Sequence, residues 1–123
     1  MSHDVVADGL NQIMNAKAVE KGEVVIRRGS KVLVKLFKMM KELGHIDYKI
    51  EDGDIIVRIL KLNECRAVKP RYFVGVDGID RYLRRFLPSR NFGTLVISTN
   101  KGLITHKEAL KLNIGGSVVA YFY

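Results

Sequence analysis

The sequence predicts an α+β fold built from two small packed subdomains, and three observations predict it. Apolar residues recur at helical spacing in two early segments. Short runs of β-branched and aromatic residues are bounded by Gly, Pro, Asn or Asp. Between Asn63 and Arg71 the apolar content falls and Lys61, Arg66, Lys69 and Arg71 cluster around Pro70, which marks a boundary. With 123 residues, 47% of them hydrophobic, the chain can bury one core or two small cores packed together, and has no room for large domains. The division is expected to give residues 1–63 as an N-terminal α/β subdomain and residues 64–123 as a β-rich C-terminal one.

Each element has its own signal. Over residues 4–18, Val6, Leu10, Ile13 and Met14 recur at helical spacing with Asp4 as an N-cap. Asn11 and Asn15 fall on a largely opposite face. Gly9, inside this helix, costs about 1 kcal/mol relative to alanine, so tertiary packing must support it. Glu23-Val24-Val25-Ile26-Arg27-Arg28 reads as a strand closed by Gly29. Ser30 then caps a second helix over residues 31–43, with Leu33, Leu36, Phe37, Met40 and Leu43 on one face and Lys31, Lys35 and Lys38 on the other; Gly44 suits its stop. Ile46, Tyr48 and Ile50, the Asp52-Gly53 turn, and Ile55, Val57 and Ile59 form a hairpin. Two helices can cover one face of such a sheet and leave the other open.

After the boundary, residues 72–76 read as a short strand, 79–86 as a short helix and Pro88-Ser89-Arg90-Asn91-Phe92-Gly93 as a structured loop. Residues 94–98 form a strand, and Ser98-Thr99-Asn100-Lys101-Gly102 turns into Leu103-Ile104. Thr105-His106-Lys107-Glu108 is a capping box that starts a helix to about Leu112. Residues 117–123 come after Gly115-Gly116 as a terminal strand, and deleting it should unfold the second half.

Charge narrows the function. A formal net charge of +8, from 21 Lys and Arg against 13 Asp and Glu, favours polyanions, because each neutralised phosphate releases counterions. Cys65 is the only cysteine, so no intramolecular disulfide forms, and with three histidines no zinc spacing is recognisable. No apolar run approaches the roughly 18 residues needed to cross a bilayer. There is no Gly-rich phosphate loop and no nucleophile motif, so neither an enzyme nor a cofactor is expected. His106 has no carboxylate or second histidine spaced to work with it and reads as a helix-start residue.

Ser98-Thr99-Asn100-Lys101-Gly102 resembles the Ser-Thr-Ser-Lys-Gly signature of the universal small-subunit ribosomal protein that bacteria number eight. On its N-terminal side, Leu87-Pro88-Ser89-Arg90-Asn91-Phe92-Gly93 is similar to the archaeal and eukaryotic form of the family. On its C-terminal side, His106-Lys107-Glu108-Ala109, Ile114-Gly115-Gly116 and the aromatic terminus are similar to the family's closing segment. Ala7-Asp8 with Asn15-Ala16 resembles the first helix, Ser30-Lys31 the second helix start, and the basic connection with Cys65 its counterpart. Asn100 stands where the signature has serine, Gly9 where alanine is usual, and Arg66-Ala67 where glycine is usual. The resemblance implies a two-domain α+β structural protein of the cytoplasmic ribosome. It would be monomeric there beside neighbouring small-subunit proteins, with no membrane, and would bind early to the central domain of small-subunit ribosomal RNA.

On that footing Ser98, Thr99, Asn100, Lys101 and Gly102 are the expected RNA-recognition loop: hydroxyls to donate or accept, a lysine for phosphate, and a glycine permitting close approach. Asn11 and Asn15, one helical turn apart, can reach sugar and base edges together, and Ser30 with Lys31 at a helix start suits phosphate. Without the resemblance, the loop is an ordinary hairpin turn and the lysines are a solvated helix face. A free-standing regulator that binds structured messenger RNA is the alternative, since a ribosomal RNA site can be mimicked elsewhere; a protein-interaction module is a third.

Overall fold

The computed structural model describes residues 5–27, 29–69, 71–89 and 92–123. The expected N-cap at Asp4, the strand end at Arg28, the proline at position 70 and Arg90-Asn91 of the structured loop lie outside them. The chain forms an α+β protein of two compact units, one ending at Cys65 and the other running from Arg66 to Tyr123.

The first unit contains α1 (Val5–Ala18), β1 (Glu23–Ile26), α2 (Lys31–Glu42), β2 (Ile46–Glu51) and β3 (Asp54–Ile59). The strands make an antiparallel sheet in the order β1-β3-β2. Asp52 and Gly53 both take left-handed φ values, 51° and 83°, so β2 turns into β3 in two residues and Glu51 faces Asp54. This register places Ile55 and Val57 on the helix side, where Leu10 and Ile13 of α1 and Leu33, Leu36, Phe37 and Met40 of α2 are buried. Each such side chain contributes roughly 1.5–3 kcal/mol by leaving water. At the start of α2 the Leu33 N–H donates to Ser30 Oγ at 3.1 Å, the cap expected there. On the opposite sheet face Arg58 lies between Glu23 and Asp47, so that face carries compensated charge.

Two side chains depart from the expected pattern. Leu43 is the C-cap of α2 and is 52% exposed, since the helix ends before its stripe reaches that position. Ile50 is also 52% exposed, because it stands at the hairpin end of an edge strand.

From Arg66 on, the second unit contains the rest of β4 (Cys65–Ala67), whose first residue closes the first unit, then β5 (Phe73–Val74), a 3-10 turn (Val76–Gly78), α3 (Ile79–Phe86), β6 (Thr94–Thr99), β7 (Gly102–Thr105), α4 (His106–Leu112) and β8 (Gly116–Phe122). Its sheet runs β4-β8-β6-β7, with β5 also on β8. The terminal strand is therefore central, as its apolar run Val118, Val119 and Ala120 requires; all three are buried. A bulge between Val96 and Ile97 shifts the β6–β8 register by one residue. Ile79 and Leu83 of α3 and Ala109 of α4 pack on Leu95, Ile97 and Val118.

Here the strand expected over 72–76 shortens to two residues, with Val76 taken into the 3-10 turn. A strand at Cys65–Ala67, unexpected from the sequence, begins the sheet. Half of the capping box forms as expected, the Glu108 N–H donating to Thr105 Oγ1 at 3.2 Å; the Glu108 carboxylate accepts from the Thr105 hydroxyl at 3.4 Å rather than from its backbone N–H. Among the described residues no helix is long and apolar enough to cross a membrane.

Candidate nucleic-acid interface

The β6–β7 turn is built around one hydroxyl. Thr99 Oγ1 accepts the Lys101 N–H at 3.0 Å and donates to the Gly102 carbonyl at 3.0 Å. Neither Asn100 nor Lys101 takes a positive φ, whereas Gly102 has φ +99°. The chain therefore turns through Asn100 and Lys101 and returns through a glycine, a conformation that would strain any other residue at position 102. Asn100 and Lys101 are left exposed at the tip, and Ser98 is half-buried at its base. Thr99 is thus committed to shaping the turn, while Asn100 and Lys101 are exposed at its tip.

Beside this turn lies a groove lined by Phe73, Ser98, Thr99, Asn100 and residues 114–117. Its floor is tight: a β-carbon on Gly115 would collide with the Val74 carbonyl, and one on Gly116 with the Ser98 carbonyl. Phe73, at its edge, is 78% exposed. Sequence reasoning assigns it no role, although alternation signals it, since Phe73 and buried Val74 are neighbours in a strand and must face opposite sides. A bare aromatic ring in a groove with hydroxyls and an amide offers a stacking surface together with polar contacts.

His106 holds the end of the β6–β7 hairpin opposite the turn. It is 3% exposed, and its Nδ1 accepts the Leu95 N–H at 3.2 Å, which requires that nitrogen to be without a proton. Burial, and then the neighbouring Lys107 charge, lower its pKa below the usual 6.5. The ring is a structural acceptor at the start of α4, in keeping with the helix-start role expected of it. Cys65, fully buried, donates its Sγ–H to the Leu10 carbonyl at 3.7 Å as a packed residue.

In the first unit Asn11 and Asn15 are both exposed on α1, one turn apart. Asn15 lines a shallow cleft with Gln12, Lys21 and Val25; Asn11 does not. Ser30 and Lys31 stand at the start of α2 outside that cleft, the serine occupied as a cap and the lysine exposed. The structure gathers Ser98, Thr99 and Asn100 along one groove of the second unit, with Lys101 and Gly102 completing the turn, and the remaining candidates belong to the first unit. Among the described residues no three His, Cys, Asp or Glu side chains are grouped to hold a metal ion.

Comparison with known proteins defines the class as a ribosomal protein. The family model described as ribosomal protein S8 matches residues 4–123. The chain is also 41% identical over 126 residues to the small ribosomal subunit protein uS8 of Methanococcoides burtonii, spanning 98% of this chain and 97% of that one. The chain belongs to the ribosomal protein S8 family.

Proposed function

We propose that this protein is a structural constituent of the small ribosomal subunit that binds the central domain of small-subunit ribosomal RNA and supports its assembly in translation. The observation that carries the reading is the Thr99-braced turn, which presents Asn100 and Lys101 to solvent beside a groove bearing Ser98 and Phe73. Such a surface suits folded RNA: Lys101 meets a phosphate, Ser98 and Asn100 meet a 2′-hydroxyl or base edge, and Gly102 lets the backbone approach closely. Asn11, Asn15, Ser30 and Lys31 contribute a second contact from the first unit. The protein works in the cytoplasm, as a monomer among neighbouring small-subunit proteins, and has no catalytic step and no cofactor.

The test is binding of the intact chain to a central-domain RNA transcript at several salt concentrations. Lys101→Ala is expected to weaken binding and to reduce the slope of log K against log salt by roughly 0.7–0.9, the contribution of one phosphate contact. An unchanged slope removes Lys101 from the interface. Failure of the protein to sediment with small subunits in extract would overturn the ribosomal reading.

A further inference from the structure

The stretch from Lys69 to Phe86 carries five lysines and arginines against two aspartates, and the structure sorts its cations into two kinds. Helix α3 buries Ile79 and Leu83 and leaves Arg81, Arg84 and Arg85 exposed. Arg84 is tied to Asp80 at 3.0 Å. Among the described residues, neither Arg81 nor Arg85 pairs with a carboxylate.

Arg85 is held in another way. Its guanidinium lies 5.4 Å from the Tyr72 ring centroid and 5.3 Å from that of Phe86. Those rings belong to a continuous ladder: Tyr72 stacks on Tyr82 at 5.6 Å, Tyr82 on Phe86 at 6.3 Å, and Phe86 on Tyr121 of β8 at 5.4 Å. The ladder fixes a helix of only 8 residues to the central strand of its sheet. A guanidinium whose face rests on aromatic rings keeps its N–H donors in its own plane, available at the edge, and loses less rotamer freedom when it binds than a free side chain would. Arg81 stands one turn earlier on the same helix, with β-carbons of such a pair about 5–6 Å apart.

We propose that Arg81 and Arg85 form a further RNA contact, a clamp for consecutive phosphates of one strand, distinct from the β6–β7 turn and from the contact of the first unit. The chemistry favours a nucleic-acid backbone over an acidic peptide. Planar forks match phosphate oxygens, the Tyr72 and Tyr82 rings beside them suit sugar and base edges, and the chain as a whole carries +8. The inference rests on the reading that the chain binds ribosomal RNA, and goes beyond it in assigning α3 a role.

The experiment measures binding of the intact chain to a small-subunit ribosomal RNA transcript across a salt series. Four variants are compared with the unaltered chain: Lys101→Ala, Arg81→Gln with Arg85→Gln, Arg85→Lys, and Arg84→Gln. The double variant is expected to reduce the slope of log K against log salt by roughly 1.4–1.8, two phosphates' worth, while a thermal melt shows it still folded at the binding temperature. Arg85→Lys should keep the slope and lose affinity several-fold, because lysine has no planar face to stack. Arg84→Gln should leave the slope unchanged. If Lys101→Ala lowers the slope and the double variant does not, α3 is not a contact while the RNA reading stands. If Arg84→Gln lowers it as much per charge as the double variant, the effect is general charge and the clamp is overturned. If no variant moves the slope, both readings fall.

Discussion

Gly116 lies so close to the carbonyl oxygen of Ser98 that a β-carbon at position 116 has no room. The Ile97 Cγ2 atom would stand 3.0 Å from that carbon as well. Since Ser98 pairs with Ser117 across β6 and β8, the two strands meet here at van der Waals limit, directly beneath the turn that carries Asn100 and Lys101. The glycine pair after α4 is thus a requirement of the candidate site rather than a flexible link.

Gly116→Ala is accordingly expected to destabilise the protein by about 1–3 kcal/mol, the range for forcing extra volume into a packed contact. RNA affinity should fall further than the lost stability alone predicts, because the strain is relieved by moving Ser98. At Gly75, next to the same groove, an added β-carbon would meet nothing within 4 Å, so Gly75→Ala should unfold within about 0.5 kcal/mol of the unaltered chain. Urea titrations of the two variants check this, and coincident midpoints would show that the close approach is no constraint.

The Thr99 hydroxyl braces the turn through two hydrogen bonds. Thr99→Val removes a hydroxyl that both accepts from Lys101 and donates to Gly102, at a cost of about 1 kcal/mol per bond, whereas Thr99→Ser keeps both. The valine variant should bind RNA more weakly, with the salt slope retained, and its Lys101 amide should exchange with solvent faster. Serine should restore both properties. Equal amide exchange in the valine and serine variants would mean that the turn does not depend on the hydroxyl.

Much of this architecture is legible in the sequence. The helical stripe of α2, the Asp52-Gly53 hairpin and the capping box at Thr105 are short-range patterns, in which the residues that signal an element are those that make its bonds. What escapes is long-range. β4 is three residues with a charged centre at Arg66, and it is a strand only because β8 offers it an edge. The ladder from Tyr72 through Tyr82 and Phe86 to Tyr121 joins rings from a loop, a helix and a distant strand, and no spacing along the chain announces it. At the candidate site the turn residues are legible through their family signature. The groove beside them is not, because Phe73 reaches it from another strand.

His106 makes stability depend on pH in a definite direction. Its pKa is about 6.5 when unfolded and lower when folded, through burial and the nearby Lys107 charge. Between those two values the unfolded chain holds the extra proton, so stability rises with pH across that window and is lost as pH falls through it. Asp47, held below the usual carboxylate range by Lys41 and the Tyr48 N–H, titrates further to the acid side. Unfolding free energies between about pH 7.5 and 5.5 should therefore decline toward acid, and the decline should be shallower in His106→Gln. Parallel curves for the two proteins would exclude His106 as the source.

Gly9 presents the same kind of constraint in the first unit, with a different remedy. A β-carbon there would come within 2.7 Å and 2.9 Å of the two Leu33 methyls, and Leu33 is itself buried. Alanine at position 9 would gain about 1 kcal/mol in helix propensity but must displace a packed leucine, at about 1–3 kcal/mol. Gly9→Ala is expected to be net destabilising by about 1 kcal/mol. Leu33→Val removes both clashing methyls and on its own costs about 1 kcal/mol in lost burial. Combined, the two changes should be less destabilising than their sum by at least about 1 kcal/mol, because the valine leaves the space that the new methyl needs. Simple additivity in the double-mutant cycle would mean that α1 moves off α2 to admit the methyl, and that Gly9 does not set the distance between the two helices.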